Sequence, residues 1–370
     1  MPKKKLIPLI LAFVLLIFVG KLVVSNLNVF PFVFQLIFNR DIQLKQSDSR
    51  INILLLGIGG GNHDGPNLTD TIIFASLDPK SEKVTLVSIP RDLWMPDLAG
   101  ASKKINSAYA AGEFIKKGGG LPLVEAAIGK ITGQSIDYGI RIDFSGFVKA
   151  VDILGGLDIN VENTFDDYQY PIDGKEADTC GHTQDELQAL ANTSEDQLPS
   201  VFPCRYKHLH FNKGLTHMDG ETALEFVRSR HASGVEGSDF SRSKRQEKII
   251  KAFKDKALSA QTILNPSKII SLYETLKSSI DTDIQQTEFD DFIRLAQKMK
   301  NAKIQSAILD YGDAQTQRPG LLVNPSTSSD YNYEWVLIPR TGNGNFLEIQ
   351  KYIQCEIKTG NCPVPVKPQS

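Results

Sequence analysis

The 370-residue sequence has little of several features that mark common classes of protein. Lysine and arginine total 41 against 43 aspartates and glutamates, so there is no basic excess of the kind that nucleic-acid binding needs. The sequence contains no Cys-x-x-Cys pair, no His-Glu-x-x-His motif, no nucleophile elbow and no Walker phosphate loop. It also has no internal repeat and no coiled-coil heptads. These absences exclude the usual zinc, nucleotide and serine-hydrolase motifs.

Cysteine is scarce, with four residues in the whole chain. Cys180 and Cys204 form one local pair, and Cys355 and Cys362 form another. An even count in two local pairs predicts two disulfides, which persist in an oxidising compartment outside the cytoplasm.

The N-terminus carries a long hydrophobic run, Leu6–Val24, preceded by Lys3, Lys4 and Lys5. About 19 helical residues span roughly 28 Å, close to the hydrocarbon thickness of a bilayer. The lysines predict a cytoplasmic tail over residues 1–5, a single-pass anchor in the cell membrane over 6–24, and an extracytoplasmic remainder. A cleaved signal peptide is the alternative, but no clear small-x-small cleavage site follows the run.

Beyond a membrane-proximal linker (residues 25–50), apolar runs with strand and helix periodicity alternate. Ile51–Leu56 is typical of a buried strand, and Ser145–Leu154 of a helix ended by two glycines. This alternation predicts a layered α/β domain with a mixed sheet over residues 51–259. Residues 260–354 are expected to form a C-terminal α/β extension, and residues 355–370 a tail.

Residues 163–212 form a long, polar and turn-rich insertion that contains the first cysteine pair. We expect it to lack regular structure and to serve a functional role, such as that of a lid tethered by the disulfide.

The most informative stretch concentrates four arginines around a short Gly/Ser loop. Arg228 and Arg230 stand two apart, so on an extended segment they would point the same way. Arg242, Arg245 and Gln246 stand at i, i+3 and i+4, so on a helix they would share one face near its N-terminus. Paired guanidinium groups beside a helix N-terminus predict an anion-binding site, with a solvated basic surface as the alternative.

Two aspartates and a further arginine follow the first predicted strands. Asp64 and Asp70 lie on the loop after the first strand, where open α/β sheets build their sites, and paired carboxylates suit Mg²⁺, with Mn²⁺ as the alternative. Arg91 lies just beyond a strand beside Pro90, an arrangement that would orient it to bind an anion, and Asp92 could orient Arg91 or reach the metal. Turn, capping and surface ion-pair roles are the alternatives.

Nine short motifs occur in an order that resembles the LytR–CpsA–Psr family of cell-wall ligases. They are Leu54–Gly57, Thr69–Thr71, Ser88–Asp92, Lys104–Asn106, Phe144–Phe147, Val151–Gly156, Gly220–Leu224, Val227–His231 and Asp239–Gln246. The resemblance covers about residues 51–259, apart from the insertion. It implies a three-layer α/β/α sandwich that holds a polyprenyl-pyrophosphate lipid in an apolar pocket.

The resemblance also implies a reaction, the transfer of a glycopolymer through its phosphate from the lipid carrier to a peptidoglycan hydroxyl. The residues at the matching positions imply that the pyrophosphate is bound by Arg91, Arg228, Arg230, Arg242 and Gln246. Asp70 would help to bind Mg²⁺. The family's usual Leu-Gly-x-Asp is replaced here by Gly57-Ile-Gly59, so the loop that carries Asp64 differs.

Phosphoryl transfer depends mostly on positioning and charge neutralisation, which arginines and Mg²⁺ would supply. Asp70 and Asp92 are the candidates to accept the proton of the acceptor hydroxyl, and together with Arg91 they form the expected catalytic set. The expected partners are a polyprenyl-pyrophosphate-linked glycan, a peptidoglycan acceptor and the membrane, with no nucleic acid. A non-catalytic polyprenyl-phosphate binding or regulatory protein and a lipid pyrophosphatase are the alternatives.

Overall fold

The structure is a computed structural model. It describes residues 42–61, 65–191, 193–194, 197–237, 239–257, 259–263, 265–313 and 317–366. The predicted anchor at residues 6–24 lies outside these residues. Within the part of the chain that the structure describes, no helix is both long enough and apolar enough to cross a membrane.

Fourteen strands are found in the described residues. In chain order they are β1 Ile51–Ile58, β2 Thr69–Asp78, β3 Lys83–Ser88, β4 Tyr138–Asp143, β5 Leu157–Val161, β6 Phe165–Pro171, β7 Tyr206–Phe211, β8 Gly214–Met218, β9 Ile280–Thr282, β10 Lys303–Ile308, β11 Gly312–Asp313, β12 Arg318–Pro319, β13 Leu322–Val323 and β14 Ile338–Pro339.

The described helices are α1 Ala108–Ile115, α2 Gly120–Thr132, α3 Phe144–Leu154, α4 Gln184–Ala189, α5 Leu198–Val201, α6 Gly220–Arg228, α7 Asp239–Ala257, α8 Ala260–Ile263, α9 Pro266–Ser279, α10 Phe289–Lys298 and α11 Leu347–Lys358. Helix α10 belongs to a separate compact unit that contains Ile284–Met299, whereas residues 45–283 and 300–366 belong to the main unit.

Six strands form the central sheet in the order β10-β3-β2-β1-β4-β9. Strand β1 runs antiparallel to β2 and parallel to β4, and β3 runs parallel to β10. The mixed central sheet of the predicted α/β fold is therefore confirmed. The four remaining pairs, β5 with β8, β6 with β7, β11 with β12 and β13 with β14, are small antiparallel ribbons.

Helices cover both faces of the central sheet because its strands bury side chains on both sides. On one face, Leu54 and Leu56 pack in a cluster with Ile128 of α2 and Ile353 of α11. On the other face, Ile73 and Leu86 line a narrow apolar slot together with residues of α7 and β10. Burying side chains of this size stabilises the fold by roughly 1.5–3 kcal/mol each. Because the strands carry such side chains on both faces, both faces of the sheet are covered by helices.

The insertion at residues 163–212 is not structureless, contrary to the expectation from its sequence. It contains the β6–β7 ribbon, in which Phe165 pairs with Phe211, and both rings are buried. The two short helices α4 and α5 lie between these strands. The insertion folds because one face of the ribbon carries enough apolar side chains to pack on the domain.

The region after residue 259 contributes two strands to the same sheet. Strands β9 and β10 form the two edges of this sheet, so the predicted domain boundary at residue 259 separates strands of one sheet. Helix α11 continues to Lys358, past the predicted start of the tail at residue 355. Both predicted disulfides are confirmed, with Cα–Cα distances of 5.5 Å for Cys180–Cys204 and 6.1 Å for Cys355–Cys362.

Candidate anion-binding site

A cavity of about 220 Å³ lies between β2, the turn after β3 and the β6–β7 ribbon. The end of α6 and the start of α7 complete its wall. It brings together six of the residues predicted from the sequence. The lining residues are Asp70, Thr71, Arg91, Asp167, Gln169, Tyr170, Pro171, Val227, Arg228, Arg230, His231, Arg242 and Gln246. Four arginines therefore surround one small cavity.

Arg91 is held at the cavity by the turn that follows β3. The backbone N–H of Leu93 donates to the carbonyl of Pro90 at 3.1 Å and closes this turn. The Arg91 Nη1 donates to Asp70 Oδ1, and its Nε lies 3.5 Å from Asp92 Oδ2. Burial opposes the charge on Arg91, but the two carboxylates outweigh that effect and raise its pKa. Arg91 is thus a fixed, permanently charged group in the cavity wall.

Arg228 is the last residue of α6, whose first turn is capped by Asp219. Its guanidinium makes two hydrogen bonds of 3.2 Å to the carboxylate of Asp173 and stacks 4.4 Å from the ring of Phe144. Burial opposes its charge, but Asp173 and other neighbouring groups raise the pKa of Arg228. The fork of Arg228 is oriented by these contacts before any ligand binds.

Helix α7 supplies Arg242 and Gln246 from one face, four residues apart. The side-chain amide of Gln246 donates to Thr71 Oγ1 at 3.3 Å, and the hydroxyl of Ser243 donates to Ser88 Oγ at 3.0 Å. These bonds fix the start of α7 against the sheet. Arg230, on the loop before α7, has an exposed side chain at the rim.

Arg245 is not brought to the cavity. It is 3% exposed, and its guanidinium donates to the carbonyls of Phe226, Ser229 and Glu236 at distances of 2.6 to 2.9 Å. It also forms an ion pair of 3.0 Å with the Glu236 carboxylate. These partners lie in the last turn of α6 and in the segment between α6 and α7. Arg245 therefore positions the arginine-bearing loop.

Asp92 and Asp64 are also not among the described lining residues. Asp92 stands behind Arg91 and forms an ion pair with Lys104 at 3.2 Å, which in turn pairs with Glu334. Asp92 therefore orients Arg91, one of the two roles expected for it. Asp64 lies outside the described residues.

Two further residues of the wall, Asp167 and Tyr170, were not predicted from the sequence, because both belong to the insertion. Asp167 is fully buried and accepts hydrogen bonds from the Ser229 hydroxyl at 2.7 Å and the His231 N–H at 3.3 Å. Tyr170 is 4% exposed, its hydroxyl has no hydrogen-bond partner among the described residues, and burial raises its pKa. A buried, unsatisfied O–H group in the wall of a cationic cavity is a ready donor to a bound anion.

Chemically, this arrangement can bind a dense negative charge. Four guanidinium groups and two neutral donors, Gln246 and Tyr170, line the cavity. Of its two carboxylates, Asp70 is paired with Arg91, and Asp167 accepts hydrogen bonds from Ser229 and His231. Charge-assisted bonds from arginine forks are about twice as strong as neutral ones and match phosphate oxygens in pairs. The cavity is therefore suited to a phosphate or pyrophosphate.

The chain is similar in sequence to known transferases. The chain is 30% identical over 241 residues to "Polyisoprenyl-teichoic acid--peptidoglycan teichoic acid transferase TagV" of Bacillus subtilis, a match that covers 64% of this chain and 50% of that protein. It is 27% identical to the TagU transferase of Bacillus cereus, over 68% of this chain and 66% of that one. The chain thus spans between half and two thirds of the length of these relatives.

A solved structure of B. subtilis TagV has the same fold, with a TM-score of 0.53 and 24% sequence identity. That likeness covers 84% of this chain and 98% of the solved one. The sequence model of the LytR_cpsA_psr family matches residues 35–325, which is most of the chain. The chain therefore belongs to the LytR_cpsA_psr family.

Proposed function

We propose that this protein is a phosphotransferase that moves a glycopolymer from a polyprenyl-pyrophosphate carrier to a hydroxyl of peptidoglycan, forming a phosphodiester. The observation that carries the proposal is the group of four arginines around one cavity of about 220 Å³, with Asp70 in the same wall. The curated relatives are named as transferases of teichoic acid from a polyisoprenyl carrier to peptidoglycan. Their names and the chemistry of this cavity point to the same class of substrate.

In this reaction the acceptor oxygen attacks the phosphorus that carries the glycan. A new P–O bond forms, the bond to the bridging oxygen of the pyrophosphate breaks, and polyprenyl monophosphate leaves with the electron pair. Charge accumulates on the bridging and terminal oxygens, where Arg91, Arg228, Arg230 and Arg242 neutralise it. Asp70 lines the cavity and Asp92 does not, so we assign Asp70 as the acceptor of the hydroxyl proton.

An apolar slot beside the cavity supports the proposal that the carrier lipid binds there. The narrow apolar slot between the sheet and α7 has a volume of about 20 Å³ and is lined by Ile73, Leu86, Ile250 and Ile308. Gln246 lines both the slot and the cavity. A pyrophosphate in the cavity would therefore place its lipid chain at the mouth of the slot, which has to widen to admit it.

Mg²⁺ fits the donors at this site. It commonly binds one or two protein carboxylates together with substrate phosphate oxygens, and Asp70 supplies such a carboxylate here. Mg²⁺, or Mn²⁺ in its place, would neutralise pyrophosphate charge. Asp70, with Asp64 as the second predicted ligand, would hold it.

We also propose that Leu6–Val24 anchors the protein in the cell membrane with the domain outside. The two disulfides support an extracytoplasmic domain because such bonds persist in oxidising compartments. The anchor would keep the cavity near the surface at which a polyprenyl carrier presents its headgroup.

The test uses the full chain in detergent with a lipid-pyrophosphate oligosaccharide and Mg²⁺, and measures the release of polyprenyl monophosphate with and without peptidoglycan fragments. We expect release to require the acceptor and to be lost in Asp70→Ala. Equal release without acceptor, together with free glycan phosphate, would instead identify a lipid pyrophosphatase. Lipid binding without any release would identify a non-catalytic binder.

A further inference from the structure

Two histidines and an aspartate meet on the outer face of the β6–β7 ribbon, opposite the face that packs on the domain. Asp166 is paired with His210 across the ribbon, and His208 lies two residues away on the same strand, so all three side chains share one face. His208 Nε2 lies 2.7 Å and His210 Nδ1 lies 2.8 Å from Asp166 Oδ1. The three atoms form a convergent set outside the arginine cavity.

The contacts of His210 are compatible with binding of a metal ion by Nδ1. The other ring nitrogen of His210, Nε2, lies 3.2 Å from the amide oxygen of Asn212, which can only accept a hydrogen bond. A neutral imidazole has one N–H, so if Nε2 donates it, Nδ1 directs a lone pair at the Asp166 carboxylate. In that tautomer the Nδ1 lone pair is available to a metal ion bound beside Asp166 Oδ1.

The side chains around the set hold it in place. The ring of Tyr168 stacks on that of His208 with centroids 4.1 Å apart and planes 3° apart. A metal-binding histidine is usually oriented by a hydrogen bond from its other ring nitrogen, and Asn212 is positioned to accept such a bond from His210. In a tetrahedral zinc site, bonds of about 2.0–2.1 Å place neighbouring donor atoms about 3.3 Å apart. The nitrogen-to-oxygen distances of 2.7 and 2.8 Å here are slightly shorter, so only a small outward movement of the side chains would admit the ion.

We propose that Asp166, His208 and His210 form a binding site for a divalent transition metal of the Zn²⁺ type. Imidazole nitrogens favour such ions over Mg²⁺, so this site would not compete for the ion at Asp70. Three protein ligands leave a fourth position for water. The side chains are 29% to 46% exposed, which gives an ion direct access from solvent.

Metal binding here would stabilise the wall of the anion-binding cavity. The backbone N–H of Ser233 donates to the Asp166 carbonyl at 2.7 Å, and the Asp166 N–H donates to the Ser233 hydroxyl at 3.2 Å. The next residue, Asp167, binds Ser229 and His231. An ion that fixes Asp166 to His208 and His210 therefore also restrains the loop that carries Arg230.

The test is a calorimetric titration of the full chain, freed of any polyhistidine tag, with Zn²⁺ alone at pH 7.5. A matched control exists in the β5–β8 ribbon, where His217 is likewise opposite an aspartate, Asp158, at 2.8 Å, but without a second histidine. We expect one Zn²⁺ per chain, at least about tenfold weaker binding in His208→Ala and His210→Ala, and no change in His217→Ala.

Asp166→Asn keeps the size of the side chain and serves as a second variant, also with weakened binding. Co²⁺ as a probe should give visible absorption bands that disappear in the same variants. The proposal is overturned if the wild-type chain binds no Zn²⁺, or if the two histidine variants and His217→Ala bind it equally. The metal titration does not depend on the transfer reaction, so it can fail or succeed independently of the proposed function.

Discussion

The carboxylate of Asp167 accepts a hydrogen bond of 2.7 Å from the hydroxyl of Ser229, 62 residues further along the chain. This bond joins the insertion to the loop between Arg228 and Arg230. Both side chains are fully buried, so the contact belongs to the interior of the domain. The insertion therefore takes part in building the anion-binding cavity.

Replacing Asp167 with alanine should destabilise the protein by about 1–3 kcal/mol, because the buried Ser229 hydroxyl and His231 N–H would lose their acceptor. Urea unfolding measures this change. Asp185→Ala is the control, since Asp185 is an exposed residue of α4 in the same insertion. Equal stability of the two variants would show that the Asp167 contact does not hold the loop.

Substitution of Arg245 should lower mainly stability, whereas substitution of Arg230 should lower mainly activity. Arg245→Met leaves Glu236 and three carbonyls without their buried partner, and breaking a buried pair in this way costs about 3–5 kcal/mol. Arg230→Ala alters an exposed side chain and should change the unfolding free energy by less than about 0.5 kcal/mol while it lowers transfer activity. The assignment of Arg245 as a positioning residue fails if Arg245→Met folds as stably as the wild type and only its activity falls.

Arg228 should contribute to the transition state through its planar fork. Arg228→Lys keeps the charge but removes the paired hydrogen bonds, and by analogy with lost oxyanion donors it should cost about 2–4 kcal/mol of transition-state stabilisation. The ratio kcat/KM for the lipid substrate measures this cost. Arg205→Lys is the matched control, because Arg205 stacks on Phe202 outside the cavity and its replacement should leave kcat/KM unchanged. An unchanged kcat/KM in Arg228→Lys would contradict the assignment.

Glu125 should make stability fall as the pH rises. Burial, reinforced by Asp283, raises the pKa of Glu125 to about 7 from an ordinary value of 4.5, and its Oε1 has no hydrogen-bond partner among the residues that the structure describes. Between these two values the unfolded chain binds fewer protons than the folded one, so stability is lost as the pH rises from about 4.5 to 7. Glu125→Gln should therefore raise Tm at pH 8 and leave it nearly unchanged at pH 4.5. Equal effects at both pH values would show that Glu125 does not titrate in this way.

Much of the fold could be predicted from the sequence, because strands such as Ile51–Ile58 are continuous apolar runs that end at glycines. The β6–β7 ribbon was missed because its strands carry many polar residues on the solvent face and an irregularity between Asp167 and Tyr170 interrupts the alternation. Sequence periodicity cannot detect a half-buried strand whose register shifts.

The candidate site was predicted in the same uneven way. Arg91, Arg228, Arg230 and Arg242 line one cavity, as the motifs indicated. The prediction that Arg245 shares the anion-binding face with Gln246 does not agree with the structure. Successive helical residues point about 100° apart, so neighbours cannot both face one narrow cavity.

The most direct test of the proposed transfer is mass spectrometry of peptidoglycan fragments after incubation with the full chain, lipid-pyrophosphate oligosaccharide and Mg²⁺ or Mn²⁺. We expect fragments that carry the glycan through a phosphodiester, and a large loss of this product in Arg230→Ala, which should fold normally. Absence of the linked product with either metal, or equal product from Arg230→Ala, would contradict the proposed transfer.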